Sequence, residues 1–136
     1  QPSPRPLNQR KTNEQTRQRG KVEKRKLASN QYAFVIRDSY PVTKFHSLII
    51  PKSHKKNYFD LTKEEMNSCY ELLIAEKESL KKLDSSIKGF NIGINIGKVA
   101  GQTIDHAHIH LIPRRQGDIK DPSGGVRGVI PEKQKY

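Results

Sequence analysis

The amino-acid sequence predicts an α+β fold in which an antiparallel sheet of about five strands is covered by one long helix. Short segments rich in aromatic and β-branched residues, separated by Pro, Gly and Asp turn signals, indicate the strands. One longer segment, residues 61–84, repeats its apolar residues at intervals of three and four, which indicates a helix. A chain of 136 residues is long enough for a single two-layer domain of this kind.

The first 27 residues differ in composition from the rest of the chain. They hold nine Lys and Arg against two acidic residues, so they carry +7 of the formal net charge of +12. With so few apolar residues, this segment cannot offset the entropy cost of its own ordering. We therefore expect a basic, flexible extension at residues 1–27 and one domain at residues 28–136, which includes a Pro/Gly-rich carboxy-terminal segment. A solvated extension is favoured over a nucleic-acid-binding arm, because no aromatic residue interleaves the charges to stack on bases.

The first part of the domain predicts a β-hairpin. Residues 31–37 and residues 46–51 are dominated by aromatic and β-branched side chains, which favour strands. Between them, residues 38–41 read Asp-Ser-Tyr-Pro, which is a turn signal. The two strands are therefore expected to pair in antiparallel fashion through a longer loop.

The long helix predicted over residues 61–84 begins with a capping box, in which Thr62 and Glu65 satisfy each other's free backbone donors. Its apolar stripe toward the sheet is predicted to comprise Met66, Cys69, Tyr70, Leu73, Leu80 and Leu83, interrupted by Lys77. Met66 and Cys69 are accordingly assigned to the core. Because Cys69 is the single cysteine, an internal disulfide is excluded and a reducing, cytoplasmic location is expected. No membrane association is expected, since no apolar run approaches the ~18 residues of a membrane span.

The strongest functional signal is the placement of His106, His108 and His110 at two-residue spacing. Two residues is the strand period, so the three imidazoles are expected to share one face while the apolar residues between them face the core. Successive side chains on such a face stand roughly 7 Å apart, which suits a phosphate and its leaving group better than a single bound ion. A metal site and three solvated histidines are the alternatives.

The segment that precedes these histidines offers groups suited to an anion. Gly97 and Gly101 allow the backbone to turn tightly. Asn95, Gln102 and Thr103 supply amide and hydroxyl donors beside that turn. A plain hairpin turn is the alternative, but it would explain the glycines and not the clustered polar side chains.

The run His-Ala-His-Ile-His-Leu-Ile at residues 106–112 matches the motif of the histidine triad (HIT) family of nucleotide hydrolases and transferases. The resemblance covers roughly residues 28–136 and points to bacterial members and to the branch that contains the fragile histidine triad protein. It implies a HIT-like fold and a homodimer in which two sheets join. It also implies hydrolysis of a nucleotide at its α-phosphate, with a diadenosine polyphosphate or an adenosine phosphoramidate as substrate.

The resemblance assigns catalytic roles to four histidines. His108 would attack the α-phosphorus and form a nucleotidyl-histidine intermediate. His110 would give a proton to the leaving group and later assist a water, while His106 would orient the nucleophile and fix its tautomer. His46 matches the fourth histidine of the family, although Phe45 stands where the family usually has glycine.

The resemblance also indicates which residues contact the nucleotide. Asp38, at the end of the first strand, would hold the ribose hydroxyls, because a carboxylate can accept from both at once. A loop-opening Asx turn is the alternative for this residue. Ile36, Asn95, Gln102 and Thr103 complete the expected nucleotide contacts.

No cofactor and no metal is expected. Many relatives bind structural zinc through two amino-terminal cysteines and two histidines, but the cysteine pair is missing here, so His54 is assigned to a solvated loop. Positive charge for catalysis must then come from histidines and oriented amides. The alternative functions are nucleotidyl transfer or phosphorolysis, removal of adenylate from DNA ends, and nucleotide sensing with little turnover.

Overall fold

The computed structural model describes residues 23–136. Five strands form one antiparallel sheet in the order β1-β2-β3-β5-β4. These strands are β1 (Ala28–Ser29), β2 (Ala33–Arg37), β3 (Ser47–Pro51), β4 (Ile87–Gly93) and β5 (Ile109–Arg115). The long helix, α1, is Lys63–Leu83 and packs on β2 and β3. The predicted fold class is therefore confirmed.

The described part of the predicted extension, residues 23–27, runs beside β2, whereas residues 1–22 lie outside the described residues. The Leu27 backbone N–H donates to the Val35 carbonyl at 2.9 Å. The Arg25 guanidinium donates to the Arg37 carbonyl at 2.6 Å. The first strand of the sheet begins at Ala28, and residues 23–27 already contact β2.

The predicted hairpin is formed by β2 and β3, whose register pairs Ala33 with Pro51 and Arg37 with Ser47. The connecting loop is closed by the Asp38 backbone N–H, which donates to the His46 carbonyl at 2.9 Å. This loop ends directly before β3, so it places His46 at the start of that strand. Within residues 23–136, no helix has the length and apolar character needed to cross a membrane.

The helix begins with the predicted capping box, but it turns a different side toward the sheet. The Thr62 hydroxyl accepts from the Glu65 N–H at 3.1 Å, and the Glu65 carboxylate accepts from the Thr62 N–H at 2.8 Å. The predicted stripe is wrong for Met66, Tyr70 and Leu83, which are 36%, 64% and 61% exposed. The buried side of α1 consists of Glu65, Ser68, Cys69, Leu72, Glu76 and Leu80.

Two buried carboxylates explain this difference. Glu65 accepts a hydrogen bond from the Ser53 hydroxyl, and Glu76 forms an ion pair with Arg37. A carboxylate with such partners can be buried, although hydrophobic periodicity assigns it to the solvent side. The assignment of Cys69 to the core is confirmed, and burial raises the pKa of its thiol to about 11, which makes it unreactive near neutral pH.

Phe45 adopts the left-handed backbone conformation, with φ of +74°. Its ring packs against the core and lies 5.5 Å from the Arg37 guanidinium and 5.1 Å from the Lys44 ammonium. The Phe45 carbonyl accepts from the Ser47 hydroxyl at 2.8 Å. The chain therefore keeps, with phenylalanine, a backbone conformation that glycine adopts without strain.

We expect Phe45→Gly to be more stable than Phe45→Ala by about 1 kcal/mol. Both variants lose the packing of the ring, but the left-handed conformation strains alanine and not glycine. Urea unfolding of the two variants measures the difference. Equal stabilities would show that the backbone leaves the left-handed region once the ring is gone.

Candidate active site

Three histidines cluster on the sheet face opposite α1. His110 lies within β5, His108 directly precedes that strand, and His46 directly precedes β3. The ring centres of His110 and His46 are 5.1 Å apart, as are those of His110 and His108. Alternation along the strand turns Ile109 and Leu111 into the core under α1, so the histidine between them faces the other way.

His106 lies apart from this cluster. It occupies a bend before β5, and its ring packs edge-on against His54, with centroids 5.0 Å apart. The structure therefore brings His108 and His110 together as the two-residue spacing predicts. It adds His46, and it turns the His106 ring toward the loop that follows β3.

A main-chain carbonyl fixes the tautomer of His108. Its Nδ1 lies 2.8 Å from the carbonyl oxygen of His106. A carbonyl oxygen can only accept, so Nδ1 carries the ring proton. The Nε2 atom of His108 therefore has a free lone pair, which is the state a nitrogen nucleophile requires.

A backbone N–H fixes the tautomers of His46 and His110. The Val42 N–H donates to Nδ1 of His46 at 3.0 Å, so His46 carries its proton on Nε2. That Nε2 lies 2.9 Å from Nδ1 of His110, which must therefore accept. His110 then holds its own proton on Nε2. A lone pair on one ring and an N–H on the next are thus available side by side.

Burial keeps the paired rings neutral. It lowers the pKa of His46, and nearby Asp38 partly opposes this effect. The pKa of His110 is also lowered, first by burial and then by the positive charge that His108 or His46 would carry. Neutral rings near pH 7 agree with the tautomers assigned from the hydrogen bonds.

Asp38 forms the Asx turn that was the alternative to ribose binding. Its Oδ1 accepts from the Tyr40 N–H at 2.8 Å, and its Oδ2 lies 3.5 Å from Nε2 of His46. One ligand atom each from Asp38, His46 and His110 lies within 4.8 Å of the others, which is the spacing of a possible metal site. The hydrogen bond between the two histidines, however, already satisfies both facing nitrogens without an ion.

Ile36 belongs to the same row of the sheet as His110. The register pairs Ile36 with Leu48, Leu48 with His110, and His110 with Gly93. Ile36 is buried, and Leu48 lies between it and the histidine cluster. This row gives the cluster an apolar flank on the side of β2.

The turn before the histidines uses most of its own donors. The Gln102 side chain accepts from the Gly97 N–H at 2.9 Å and donates to the carbonyls of Lys56, at 2.7 Å, and Ile104, at 3.1 Å. Its backbone N–H and that of Ala100 both donate to the Gly97 carbonyl. Gly97 and Gly101 have φ of +90° and +95°, as a tight turn requires. Gln102 therefore stabilises the turn and has no free donor for an anion.

The other two polar residues predicted to bind phosphate are more open. Thr103 is exposed and Asn95 is half-buried. Among residues 23–136, neither side chain has a hydrogen-bond partner in the protein. Both donors thus remain free for a ligand.

A family model described as the HIT domain matches residues 19–117. The chain belongs to the HIT family. An uncharacterised HIT-like protein of Methanocaldococcus jannaschii is 32% identical over 99 residues, which cover 73% of this chain and 75% of that protein. The adenosine 5′-monophosphoramidase of Saccharomyces cerevisiae is 34% identical over 90 residues, or 66% of this chain and 54% of the yeast protein.

Solved HIT structures share the fold. The diadenosine triphosphate hydrolase of Plasmodium falciparum superposes with a TM-score of 0.66 and 32% identity, over 73% of this chain and 67% of that one. The resemblance inferred from the motif is therefore confirmed. The names of the two relatives with stated activities both denote enzymes that act on adenosine nucleotides.

His54 of this HIT protein lies in an exposed loop, as the sequence predicts, and its ring contacts a second histidine. Its Nδ1 lies 3.2 Å from Nδ1 of His106. The same loop accepts a backbone hydrogen bond at the Lys55 carbonyl, from the Ala107 N–H at 2.7 Å. Because 52 residues separate His54 from His106, no local sequence signal indicates this contact.

Proposed function

We propose that this HIT protein hydrolyses the bond between the α-phosphate of a nucleotide and its leaving group through a nucleotidyl-histidine intermediate at His108. The observation that carries the proposal is the hydrogen bond from His108 Nδ1–H to the His106 carbonyl, which leaves the Nε2 lone pair free. Relatives named as a phosphoramidase and a diadenosine triphosphate hydrolase support the choice of substrate class.

In the first step, the Nε2 lone pair of His108 forms a bond to the α-phosphorus while the bond to the leaving group breaks. The bonding electrons leave with the leaving group, whose charged atom accepts a hydrogen bond from the Nε2–H of His110. His110 keeps its proton, because a neutral imidazole that lost it would become an imidazolate. His108 gains a positive charge as it is phosphorylated, and its ring centre lies 5.1 Å from that of His110.

In the second step, a water attacks the α-phosphorus of the intermediate. Its oxygen displaces Nε2 of His108, which recovers its lone pair, and the proton that the water loses is released to solvent. The products are a nucleoside monophosphate and the original tautomers. The hydrogen bonds from Val42 to His46 and from His46 to His110 keep the acceptor and donor nitrogens in place between cycles.

The rest of the site is proposed to bind the nucleotide. Asp38 offers Oδ2 to the ribose hydroxyls, since Oδ1 is occupied by the Asx turn. Ile36 contributes to the apolar flank for the base. Asn95 and Thr103 donate to the α-phosphate, whereas Gln102 acts by stabilising the turn that carries them.

A homodimer is the second part of the proposal. α1 packs on β2 and β3, and β4 is an edge strand at the far side of the sheet. Ile92 of β4 is 53% exposed although it pairs with the buried Leu111 on the helix side. Met66, Tyr70 and Ile74 of α1 are exposed as well. A second copy joined along β4 would cover Ile92 and these helix residues. Light scattering of the intact protein tests this assembly and should give the mass of a dimer.

Single-turnover reactions with two substrates test the proposed activity. Diadenosine tetraphosphate and an adenosine phosphoramidate are each mixed with excess protein, and the release of AMP is followed by chromatography. We expect AMP from at least one of them, and the faster substrate identifies the leaving-group class. Binding of AMP without release from either substrate would favour a nucleotide sensor over a hydrolase.

A further inference from the structure

We propose that His54 is a positioning residue for the nucleophile, because it holds the ring of His106 and thereby the carbonyl that orients His108. The inference rests on the proposed function, because its kinetic test measures AMP release. Its structural test, the tautomer of His108, needs no substrate. Three hydrogen bonds of defined direction connect His54 to His108.

The first of these bonds fixes the tautomer of His106. Its Nε2 lies 2.9 Å from the Pro51 carbonyl, so Nε2 must donate. Burial lowers the pKa of His106, and its Nδ1 is therefore a bare lone pair near neutral pH. His54 Nδ1, at 3.2 Å, can only be the donor in this pair.

The main chain of His106 connects this ring to the nucleophile. The carbonyl that accepts from His108 Nδ1–H belongs to His106 itself. β5 begins only at Ile109, so the hydrogen bonds of the sheet do not hold the main chain at His106. The contacts of the ring with His54 and Pro51, together with the neighbouring bond from Ala107 to Lys55, fix the orientation of that carbonyl.

The loop that carries His54 is itself anchored to α1. Ser53 donates to the Glu65 carboxylate, and the Lys55 ammonium lies 3.7 Å from it. Glu65 is buried and caps α1 at Thr62. The described residues include no third His, Cys, Asp or Glu close enough to form a three-ligand metal set with His54 and His106. The pair is therefore interpreted as a hydrogen bond.

Three variants isolate the donated hydrogen bond. His54→Ala removes the donor, and His54→Asn restores an N–H close to the position of Nδ1. Lys52→Ala changes an exposed side chain of the same loop and serves as the control. We expect His54→Ala to lower kcat for AMP release about fivefold, the rate equivalent of one neutral hydrogen bond, with KM nearly unchanged. His54→Asn should recover most of that loss, and Lys52→Ala should match the wild type.

Nitrogen-15 NMR of the histidine rings provides the structural readout. The Nδ1–H tautomer of His108 should dominate in the wild type, fall in His54→Ala and return in His54→Asn. An unchanged kcat and tautomer in His54→Ala, or an Asn variant no better than Ala, would overturn the proposal. If the wild type releases no AMP, the proposed function fails. The NMR comparison then decides the role of His54 alone, and an unchanged His108 tautomer overturns it.

Discussion

Replacing His108 by glycine is expected to lower the rate of AMP release about 10⁴-fold or more, which is the scale of losing a covalent nucleophile. The Nε2 lone pair of His108 is held free by the bond from Nδ1–H to the His106 carbonyl. No other ring in the cluster offers an equivalent atom, because Nε2 of His46 and Nε2 of His110 both carry protons. Single-turnover kinetics with the faster of the two substrates measures the loss.

Added imidazole provides a control for the His108→Gly variant. A free imidazole that enters the vacated space can attack the α-phosphorus, so millimolar imidazole should restore part of the rate. It should have no comparable effect on His110→Gly, since a second nucleophile does not replace the N–H that His110 offers to the leaving group. A His108→Gly variant that retains more than a tenth of the wild-type rate would exclude His108 as the nucleophile.

Replacing Arg37 by methionine is expected to lower the free energy of unfolding by about 3 kcal/mol. Arg37 extends from β2 to the Glu76 carboxylate on α1, and it also donates to the Ser47 hydroxyl at 2.7 Å. The Glu76 side chain is only 6% exposed. Without arginine, a buried carboxylate is left without its counter-ion, which costs far more than the loss of a solvated pair.

Two further variants separate this effect from a general loss of charge. Arg114→Met breaks the pair with Asp118, whose carboxylate is more exposed than that of Glu76, and we expect it to cost less than Arg37→Met. The double variant Arg37→Met/Glu76→Leu removes both buried charges and should recover most of the stability. Urea unfolding measures all three. If Arg37→Met costs no more than Arg114→Met, the carboxylate is solvated in the native protein.

Sequence periodicity predicted the strands and the helix but not which side of the helix is buried. The capping box at Thr62 and Glu65 depends on local spacing, so it was visible in the sequence. The buried side depends on Ser53 and Arg37, which contact α1 from distant parts of the chain. Periodicity rules count Glu65 and Glu76 as solvent-facing, because they do not register a partner that lies on another element.

The candidate site shows the same division. The two-residue spacing of His108 and His110 is local, and the structure places the two rings side by side. The contact of His54 with His106 and the complete use of the Gln102 amide depend on how two loops meet. For such residues the sequence predicted the chemical type of group present but not the partner it would find.

The stereochemical course at phosphorus tests the central claim, a covalent intermediate at His108, most directly. An adenosine substrate with a chiral α-phosphorothioate is hydrolysed in water enriched in a heavy oxygen isotope, and the configuration of the product is determined. Two successive displacements, first by His108 and then by water, predict retention of configuration. Inversion would show a single attack by water and would contradict the nucleotidyl-histidine intermediate.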